Sequence, residues 1–511
     1  MNITADYILR LLHEGEHSML EMKSCRDSVP RSVWETYSAF ANTRGGVILL
    51  GVTEHNDMPM DSRFEITGVD DSYKIVTDFF NMLNNRQKVS RDILIDSDVR
   101  IVPVNGKDVI YINVPEADYH KKPVYINDDI RDGSFKRTHE GDRRLNREEL
   151  AMMIRDSSDD IDAQILEHYN MSDIDDETLR GYRQVFDTAN PGHTYKNLTN
   201  KEFLYKMGGY DYDRHKGTEG LTVAGLLMFG KGTPVEKRFP TFRMDYLDLR
   251  GVEPGGDLKW NDRLTYDGRW ENNLYNFVTL TMRKLLFTMP SEGRLVGGTR
   301  RDGGQLYDGV REAIINAVTY SDFQAEGVLR IDRRDKAIIL RNPGTLRIAV
   351  ERIYQGDFTH ARNRNIQKMW RMIGYGDNIG SGFQKILCSW ETLGYQRPVL
   401  QELPDVHEVW LTLSLVANFP LNSLIQSSVL SDSNDGQIKG QIKGQINLSA
   451  QQKDTLLFMV DNPHASIKEI AEETGLSVKA VRHLIDKSQS WLNIQHKGSN
   501  KTGYWEISHK Y

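Results

Sequence analysis

Up to about residue 157 the chain alternates helical and strand-like hydrophobic patterns. Residues 31–43 place apolar side chains at helical spacing, and Gly45-Gly46 ends this helix before the apolar strand VILLGV. The strands DVRIVPV and DVIYINV are separated by Asn105-Gly106, which suits a tight hairpin because both residues tolerate a positive φ. These patterns predict an α/β domain at the start of the chain.

From about residue 300 a second set of patterned segments begins. The segment DGVREAIINAVTYSDF is strongly helical, and the apolar residues on one of its faces are Val310, Ile314, Ala317 and Val318. Two strands, GVLRIDRR and AIILRNPG, are predicted after it. In the acidic region before residue 300, the segment LTVAGLLMFG is strand-like and is predicted to lead into a turn.

The length of 511 residues favours several domains over a single core. We predict an α+β multidomain protein. Its predicted parts are an N-terminal domain at 1–157, a connecting region at 158–295, an α/β domain at 296–420, a Ser/Asn/Gly-rich linker at 421–450 and a C-terminal domain at 451–511.

The composition excludes several classes of protein. With 65 basic and 72 acidic residues the net charge is -7, which argues against a uniformly basic surface for nucleic acid but allows local basic faces. The apolar run Val47–Val52 is far too short to cross a bilayer, and the N-terminus lacks the pattern of a signal peptide. Cys25 and Cys388 have no metal-ligand spacing, so we expect no zinc knuckle or disulfide framework and a cytoplasmic location.

The C-terminal block has the pattern of a helix-turn-helix. Ser466 can cap a short helix, Gly475 can end it, and Ser477 can cap the next helix. Two strand segments around KGSNKTG follow, which fits the wing of a winged-helix domain. The pattern therefore predicts a C-terminal winged helix-turn-helix.

In such a domain the second helix enters the major groove of DNA and the wing lies along phosphates. The candidates for nucleic-acid contact are Lys479, Arg482, His483 and Lys487 on the helix and Lys497 and Lys501 on the wing. The alternative is a module that binds another protein. DNA is the expected partner, and a homo-oligomer is expected because such regulators commonly read paired half-sites.

The N-terminal block resembles the Schlafen-type AlbA-like domain. The resemblance is carried by EHSMLEMK, AFANTRGG and ILLGVTE, with SFKRTHEGDRRLNREEL in the place of the family's basic strand and closing helix, and it covers about residues 10–155. It implies a nucleic-acid-binding domain, with Lys136 and Arg137 of the basic strand as contact residues.

Some Schlafen proteins are RNA nucleases in which three carboxylates bind a divalent metal. By position these would be Glu16, Glu21 and Glu54, with Lys23 beside them as a further catalytic residue. Carboxylates suit Mg²⁺ or Mn²⁺, which can activate water against a phosphodiester. The family's third acid is usually Asp, and here it is Glu54. The alternative is that Glu21 and Lys23 pair with each other or with Arg44 in a cluster without metal.

The segments REAIINAVTYSDF, RIDRRDKAIILRNPGTL and GYGDNIGSGFQKI resemble a divergent GHKL-type ATPase domain, an α/β sandwich. The resemblance implies ATP with Mg²⁺ and at most weak ATPase activity. The residues that would bind this cofactor are Glu312, Asn316, Asn342, Gly344, Gly380 and Gly382. The first glycine segment, Asn342-Pro343-Gly344, lacks the family's Asp, which reads the adenine amino group. The alternative makes Asn316 a satisfied polar group and the glycines ordinary turn residues.

Relatives with this arrangement are sometimes labelled RecG-like helicases, but a helicase motor is not expected. The segment 225–232 ends in Gly232, where a Walker A loop needs Ser or Thr, and its inner residues are bulky and apolar. The densest basic cluster consists of Arg341, Arg347, Arg352, Arg362, Arg364, Lys368 and Arg371. These residues could bind phosphates or could pair with the acidic middle region.

The leading hypothesis is a DNA-binding transcriptional regulator that a nucleotide modulates. One alternative is a metal-dependent nuclease of Schlafen type that acts on RNA or DNA in phage defence. The other is an ATP-gated interaction protein.

Overall fold

The computed structural model describes residues 3–59, 62–139, 141–253, 255–289, 295–296, 299–300, 304–356, 361–376, 382–404, 406–417, 450–462, 464–488, 492–497 and 504–509. The chain divides into two compact units. The first contains residues 1–393 and 398–414, and the second contains residues 394–397 and 415–511. The predicted linker lies outside the described residues, apart from residue 450.

The helices of the first unit are α1 (Ala5–Glu14), α2 (Val33–Asn42), α3 (Ser72–Leu83), α4 (Arg147–Asp156), α5 (Asp176–Ala189), α6 (Asn200–Met207), α7 (Val223–Phe229), α8 (Gly232–Arg238), α9 (Leu274–Thr288), α10 (Gly304–Tyr320), α11 (Val350–Gln355), α12 (Arg364–Met372) and α13 (Gly382–Leu393).

The strands of the first unit are β1 (Leu20–Lys23), β2 (Gly46–Leu50), β3 (Val52–Glu54), β4 (Phe64–Ile66), β5 (Val99–Val104), β6 (Lys107–Val114), β7 (Phe135–Thr138), β8 (Gly141–Arg144), β9 (Tyr210–Asp213), β10 (Thr218–Leu221), β11 (Phe242–Asp248), β12 (Asp262–Thr265), β13 (Leu295–Val296), β14 (Thr299–Arg300), β15 (Gly327–Arg334), β16 (Ala337–Pro343), β17 (Val399–Leu403) and β18 (Glu408–Ser414).

The N-terminal sheet has the strand order β1-β2-β6-β5, with β1 parallel to β2 and the other pairs antiparallel. The predicted helix, strand and hairpin are confirmed: α2 ends before Gly45, whose φ is 74°, and Asn105 and Gly106 adopt φ values of 51° and 78° between β5 and β6. Helices α2 and α3 pack on one face of this sheet and α1 packs on the other, each over its own apolar cluster.

The first unit contains a second large sheet, which has six strands in the order β12-β11-β15-β16-β18-β17. Strand β11 pairs in parallel with β15. Residues of the predicted connecting region at 158–295 therefore belong to the same sheet as residues of the domain predicted at 296–420. Both strands predicted after the long helix are confirmed as β15 and β16. That helix is α10, and its predicted apolar face is buried: Val310, Ile314, Ala317 and Val318.

The prediction of a strand for LTVAGLLMFG is wrong for most of that segment. Only Leu221 belongs to a strand, and residues Val223–Phe229 form α7. The Thr222 hydroxyl caps this helix by accepting a hydrogen bond of 3.1 Å from the Gly225 amide. Every residue of α7 is buried, and a short run that is apolar on all sides has no periodicity to separate helix from strand.

The second unit contains α14 (Ala450–Asp461), α15 (Ile467–Thr474), α16 (Val478–Ser488), β19 (Leu492–Lys497) and β20 (Tyr504–His509). The predicted caps and helix end are confirmed: Ser466 caps α15 in a reciprocal arrangement with Glu469, and Gly475 ends α15 with φ 68°. The Ser477 hydroxyl caps α16 by accepting a hydrogen bond of 3.2 Å from the Ala480 amide. The two strands pair in antiparallel fashion. No described helix of either unit is long and apolar enough to cross a membrane.

Candidate nucleic-acid and nucleotide sites

The three N-terminal carboxylates lie close enough together to influence one another. Glu16 precedes β1, Glu21 lies within it, and Glu54 ends β3. A carboxylate oxygen of Glu16 accepts a hydrogen bond of 2.7 Å from the Met22 amide. Burial, reinforced by the negative charges of Glu21 and Glu54, raises the pKa of Glu16 from 4.5 to about 7.

Glu21 is buried and paired with two cations of its own chain. It contacts the Lys23 ammonium, and Arg137 Nη2 lies 2.6 Å from its second oxygen. Arg137 also pairs with Asp142 at 2.9 Å and donates to the His17 carbonyl at 3.1 Å. The side chain of Arg137 is 1% exposed. The structure contradicts the prediction that Arg137 contacts nucleic acid, because a buried guanidinium that is paired on several sides cannot reach a phosphate in this fold.

The remaining charged residues of this region are also paired. Glu54 lies 2.6 Å from Arg63 Nη2, and the half-exposed Lys136 pairs with Glu149. The predicted pairing of Glu21 with Lys23 is confirmed, whereas the charge of the exposed Arg44 acts on Glu402.

Metal binding by Glu16, Glu21 and Glu54 stays a prediction. Within the described part of the chain, no three His, Cys, Asp or Glu side chains are arranged to hold a metal ion. Cations of the chain surround two of the three carboxylates instead.

Three of the residues predicted to bind nucleotide are brought together by α10 and α13. Glu312 and Asn316 lie one turn apart on α10, and Gly382 begins α13 beside them. A Cβ atom on Gly382 would overlap with a Glu312 carboxylate oxygen and would lie 3.2 Å from both amide atoms of Asn316. A larger residue at this position would therefore have to displace the side chains of Glu312 and Asn316. Gly380 lies outside the described residues.

The first glycine segment faces an arginine of the same chain. Gly344 has φ 109°, and a Cβ atom there would overlap with Nη1 of Arg362. Asn342 is buried within β16, where it pairs with Val409 of β18. Gly344 lies beside the Arg362 guanidinium, which donates hydrogen bonds to the Tyr320 and Thr345 carbonyls. In this respect the segment differs from an open nucleotide-binding loop.

Four of the seven basic residues of the cluster at 341–371 form ion pairs with described residues, but of their partners only Asp159 lies in the acidic region predicted at 158–295. The ion pairs are Arg341–Asp332 at 2.9 Å, Arg347–Asp159 at 3.6 Å, Arg362–Asp156 at 2.8 Å and Arg364–Asp159 at 2.7 Å. Burial alone would raise the pKa of Asp159, but hydrogen bonds from His120 and Tyr119 and the Arg364 charge lower it. These arginines chiefly join parts of the chain to one another.

Four of the six predicted contact residues of the C-terminal block lie on one helix. Lys479, Arg482, His483 and Lys487 are exposed on α16, on the side opposite its buried apolar residues. The apolar side consists of Val481, Leu484 and Ile485. Lys497 is the last residue of β19, and Lys501 lies outside the described residues.

One group of charged residues was not predicted from the sequence. Alternate residues of β15, among them Arg330 and Asp332, share a face of the six-stranded sheet with residues of β11 and β16. The alternation in GVLRIDRR was the available signal, but only strand order shows which residues of distant segments lie beside it.

Residues 16–146 match the family model described as Schlafen, AlbA_2. The chain contains a Schlafen AlbA_2 domain. This confirms the predicted resemblance and places Glu16, Glu21, Glu54 and Arg137 within the AlbA_2 domain.

Two further family models match parts of the chain that follow the AlbA_2 domain. Residues 328–413 match the model "Putative ATP-dependent DNA helicase recG C-terminal", and residues 151–245 match "Domain of unknown function (DUF8451)". The recG C-terminal match includes Gly344 and Gly382 but begins after α10, so that Glu312 and Asn316 lie outside the matched residues.

Two solved structures are similar to the chain. The DIP2311 protein from Corynebacterium diphtheriae is 18% identical, with a TM-score of 0.41, over 96% of this chain and 92% of that chain. The N-terminal domain of a RecG-related protein from Nitrosomonas europaea is 25% identical, with a TM-score of 0.23, over 28% of this chain and 95% of that chain. No curated protein sequence matches the chain.

Proposed function

We propose that this protein is a DNA-binding transcriptional regulator whose second unit is a winged helix-turn-helix. The observation that carries the proposal is the exposed cationic face of α16. Lys479, His483 and Lys487 follow one another at intervals of four residues, and Arg482 lies beside them, so their side chains share one face of the helix. A helix with this face can enter the major groove while neighbouring cations contact phosphates.

The other parts of the chain support the same class of partner. The AlbA_2 domain is of the type expected to bind nucleic acid, and the recG C-terminal model takes its name from a DNA helicase. We expect the binding to use limited patches, since the chain as a whole carries a net charge of -7.

Modulation by ATP is part of this proposal. Glu312 and Asn316 would hold the Mg²⁺ of a bound nucleotide, and the missing side chain of Gly382 gives the close approach that such a site requires. ATP would supply a charged triphosphate whose binding stabilises the arrangement of α10 and α13. The observed contact between Gly382 and the two α10 residues supports this part of the proposal.

DNA binding is tested with the full chain and a labelled duplex in a salt series. Because Arg482 is exposed on the proposed recognition helix, Arg482→Ala should weaken binding by about 1–3 kcal/mol and reduce the salt dependence. Lys216→Ala removes one exposed cation from a loop of the first unit and is the matched control. Equal affinity and equal salt slope for Arg482→Ala and the unmodified protein would reject the proposal.

A metal-dependent nuclease that acts on RNA or DNA is the second candidate. The mutual influence of Glu16, Glu21 and Glu54 favours it, because hard divalent cations bind where carboxylates meet. The ion pairs of Glu21 with Arg137 and of Glu54 with Arg63 count against it, because they already neutralise two of the acids. DNA binding without cleavage is therefore the better supported function.

A further inference from the structure

The two faces of the six-stranded sheet differ in composition. One face is buried and largely apolar, with Leu329, Ile331, Ile338 and Leu340 beneath α10 and its neighbours. The residues between them point to the opposite face, which we call the open face. Since directly paired residues of neighbouring strands share a face, the register assigns Asp245, Arg330, Arg341, Trp410 and Gln401 to one row across it.

The open face is rich in arginine. Its arginines are Arg243, Arg263, Arg330, Arg334 and Arg341, and its acidic residues are Asp245, Asp332 and Glu408. Arg243 and Arg334 are exposed, and neither forms an ion pair with a described residue. The open face therefore carries an excess of positive charge within a chain whose net charge is -7.

A buried carboxylate fixes two of these arginines. Asp332 accepts hydrogen bonds from Arg330 at 2.6 Å and from Arg341 at 2.9 Å, and it is itself fully buried. One negative charge thus orients two guanidinium groups, and the trio carries a net charge of +1.

An aromatic ring lies directly beside this trio. The Arg341 guanidinium carbon is 4.0 Å from the centre of the Trp410 ring, and the Trp410 indole donates a hydrogen bond of 2.6 Å to Glu408. Trp410 is partly exposed and its orientation is fixed by both contacts. At the edge of the sheet Arg263 lies 4.8 Å from the ring of Trp260, a second arginine and tryptophan pair.

We propose that the open face binds single-stranded nucleic acid, with Trp410 and Arg341 as a stacking platform and the surrounding arginines as phosphate contacts. Unpaired bases stack on aromatic rings and guanidinium planes, and a sheet face offers these groups side by side. A duplex is a less suitable occupant, because its bases are stacked on one another and leave no free faces for Trp410 to stack on. This inference shares only the class of partner with the proposed function, since the open face lies in the first unit.

The test measures the affinity of the full chain for labelled single strands of about 20 nucleotides, oligo-dT and oligo-U, by fluorescence anisotropy. Trp410→Ala should lower the affinity at least about fivefold, the range of losing one stacked base. Trp410→Phe keeps an aromatic face and should retain most of the binding. Comparison of the two oligonucleotides shows whether DNA or RNA is preferred.

A second pair of variants tests the charge without touching the core of the sheet. Arg243→Ala should weaken single-strand binding and reduce its salt slope, because one phosphate contact is lost. Arg214→Ala, at an exposed turn of the same unit, is the matched control and should bind as the unmodified protein does.

The outcomes separate this inference from the proposed function. Arg482→Ala should weaken duplex binding only, and the open-face variants should weaken single-strand binding only. If Arg482→Ala has no effect while Trp410→Ala does, the proposed function fails and the open-face inference stands. Single-strand affinity that is unchanged in both Trp410→Ala and Arg243→Ala overturns the inference. The same holds if these variants alter only the oligomeric state in light scattering, which would make a second copy of the chain the occupant.

Discussion

Arg362 donates two hydrogen bonds of 2.8 Å to the carboxylate of Asp156, across 206 residues of sequence. The neighbouring Arg155 pairs with Asp322 at 2.7 Å. Burial alone would raise the pKa of Asp322, but the charges of Arg362 and Arg155 lower it. The end of α4 is thereby joined to the segments that follow α10 and precede α12. Arg362 also fills the space beside Gly344. The ion pair therefore connects the C-terminal end of α4, the helix that follows the AlbA_2 domain, to the first glycine segment.

The Arg362–Asp156 pair should contribute strongly to stability. Asp156→Ala leaves a fully buried guanidinium without its principal partner, which should lower the free energy of unfolding by about 3–5 kcal/mol. Urea denaturation of the variant beside the unmodified protein measures this loss. Asp160→Ala, at an exposed position four residues away, should cost little. If Asp156→Ala and Arg362→Met destabilise the protein by amounts that simply add in the double variant, the two residues do not act as a pair.

Glu16 should make stability depend on pH. Its pKa is raised to about 7 in the folded protein, so the folded state holds this proton over a range in which the unfolded state has released it. The free energy of unfolding should therefore fall as the pH rises from about 5 to about 8. Glu16→Gln should reduce that fall, whereas Glu14→Gln, at an exposed position, should leave it unchanged. If the free energy of unfolding falls equally with pH in Glu16→Gln and in the unmodified protein, Glu16 is not the group with the raised pKa.

Glu21 and Glu54 should respond differently to loss of charge. Glu21→Gln removes one of the two carboxylates that pair with the buried Arg137, while Asp142 remains, and should cost about 1.5–3 kcal/mol of stability. The Glu54–Arg63 pair is partly exposed, with side chains 28% and 34% exposed, and Glu54→Gln should cost at most about 1 kcal/mol. Thermal unfolding in EDTA and in Mn²⁺ measures both effects.

Because Glu54→Gln should remain folded, it is also the fair test of the nuclease candidate. Cleavage of RNA or DNA that requires Mn²⁺ and disappears in this variant would favour the nuclease over the regulator. We expect no such cleavage from the unmodified protein.

Nucleotide binding should depend on Gly382. ATP with Mg²⁺ at about 100 times its Kd should stabilise the protein by about 2.7 kcal/mol, which a rise in Tm reports. Gly382→Ala introduces a Cβ atom against Glu312 and Asn316 and should abolish the rise, as should Asn316→Ala. Gly304→Ala, at the start of α10, adds a Cβ atom with no neighbour within 4 Å and should retain the rise in Tm. A rise in Tm that persists in Gly382→Ala would place the nucleotide elsewhere.

Much of the local structure could be predicted from the sequence. The hairpin at Asn105-Gly106, the cap at Ser466 and the helix end at Gly475 follow from the conformations and hydrogen bonds that these residue types favour within a few positions. The AlbA_2 domain was recognisable because its motifs are local and specific. Prediction failed at α7, where a run that is apolar on every side gives no periodic signal.

The candidate sites were predictable only in part. The spacing of Glu312 and Asn316 on one helix face is a local property, but the position of Gly382 against them depends on how α13 packs on α10. Arg137 stands in a basic stretch of sequence and is nevertheless buried against Glu21 and Asp142. The arginines of the open face come from four strands, and their proximity follows from strand order.

The amino-acid sequence by itself determined the helices, turns and caps, the family of the first domain and the set of charged residues available for binding. Only the tertiary structure decided which of these charges are exposed. The physical reason is that a charge can be removed from water only where an opposite charge or hydrogen-bond partner meets it, as Asp156 meets Arg362, and such partners are usually distant in sequence. Charged residues that stay exposed include Lys479, Arg482 and His483 of α16 and Arg243 and Arg334 of the open face, and these are among the residues that we propose bind nucleic acid.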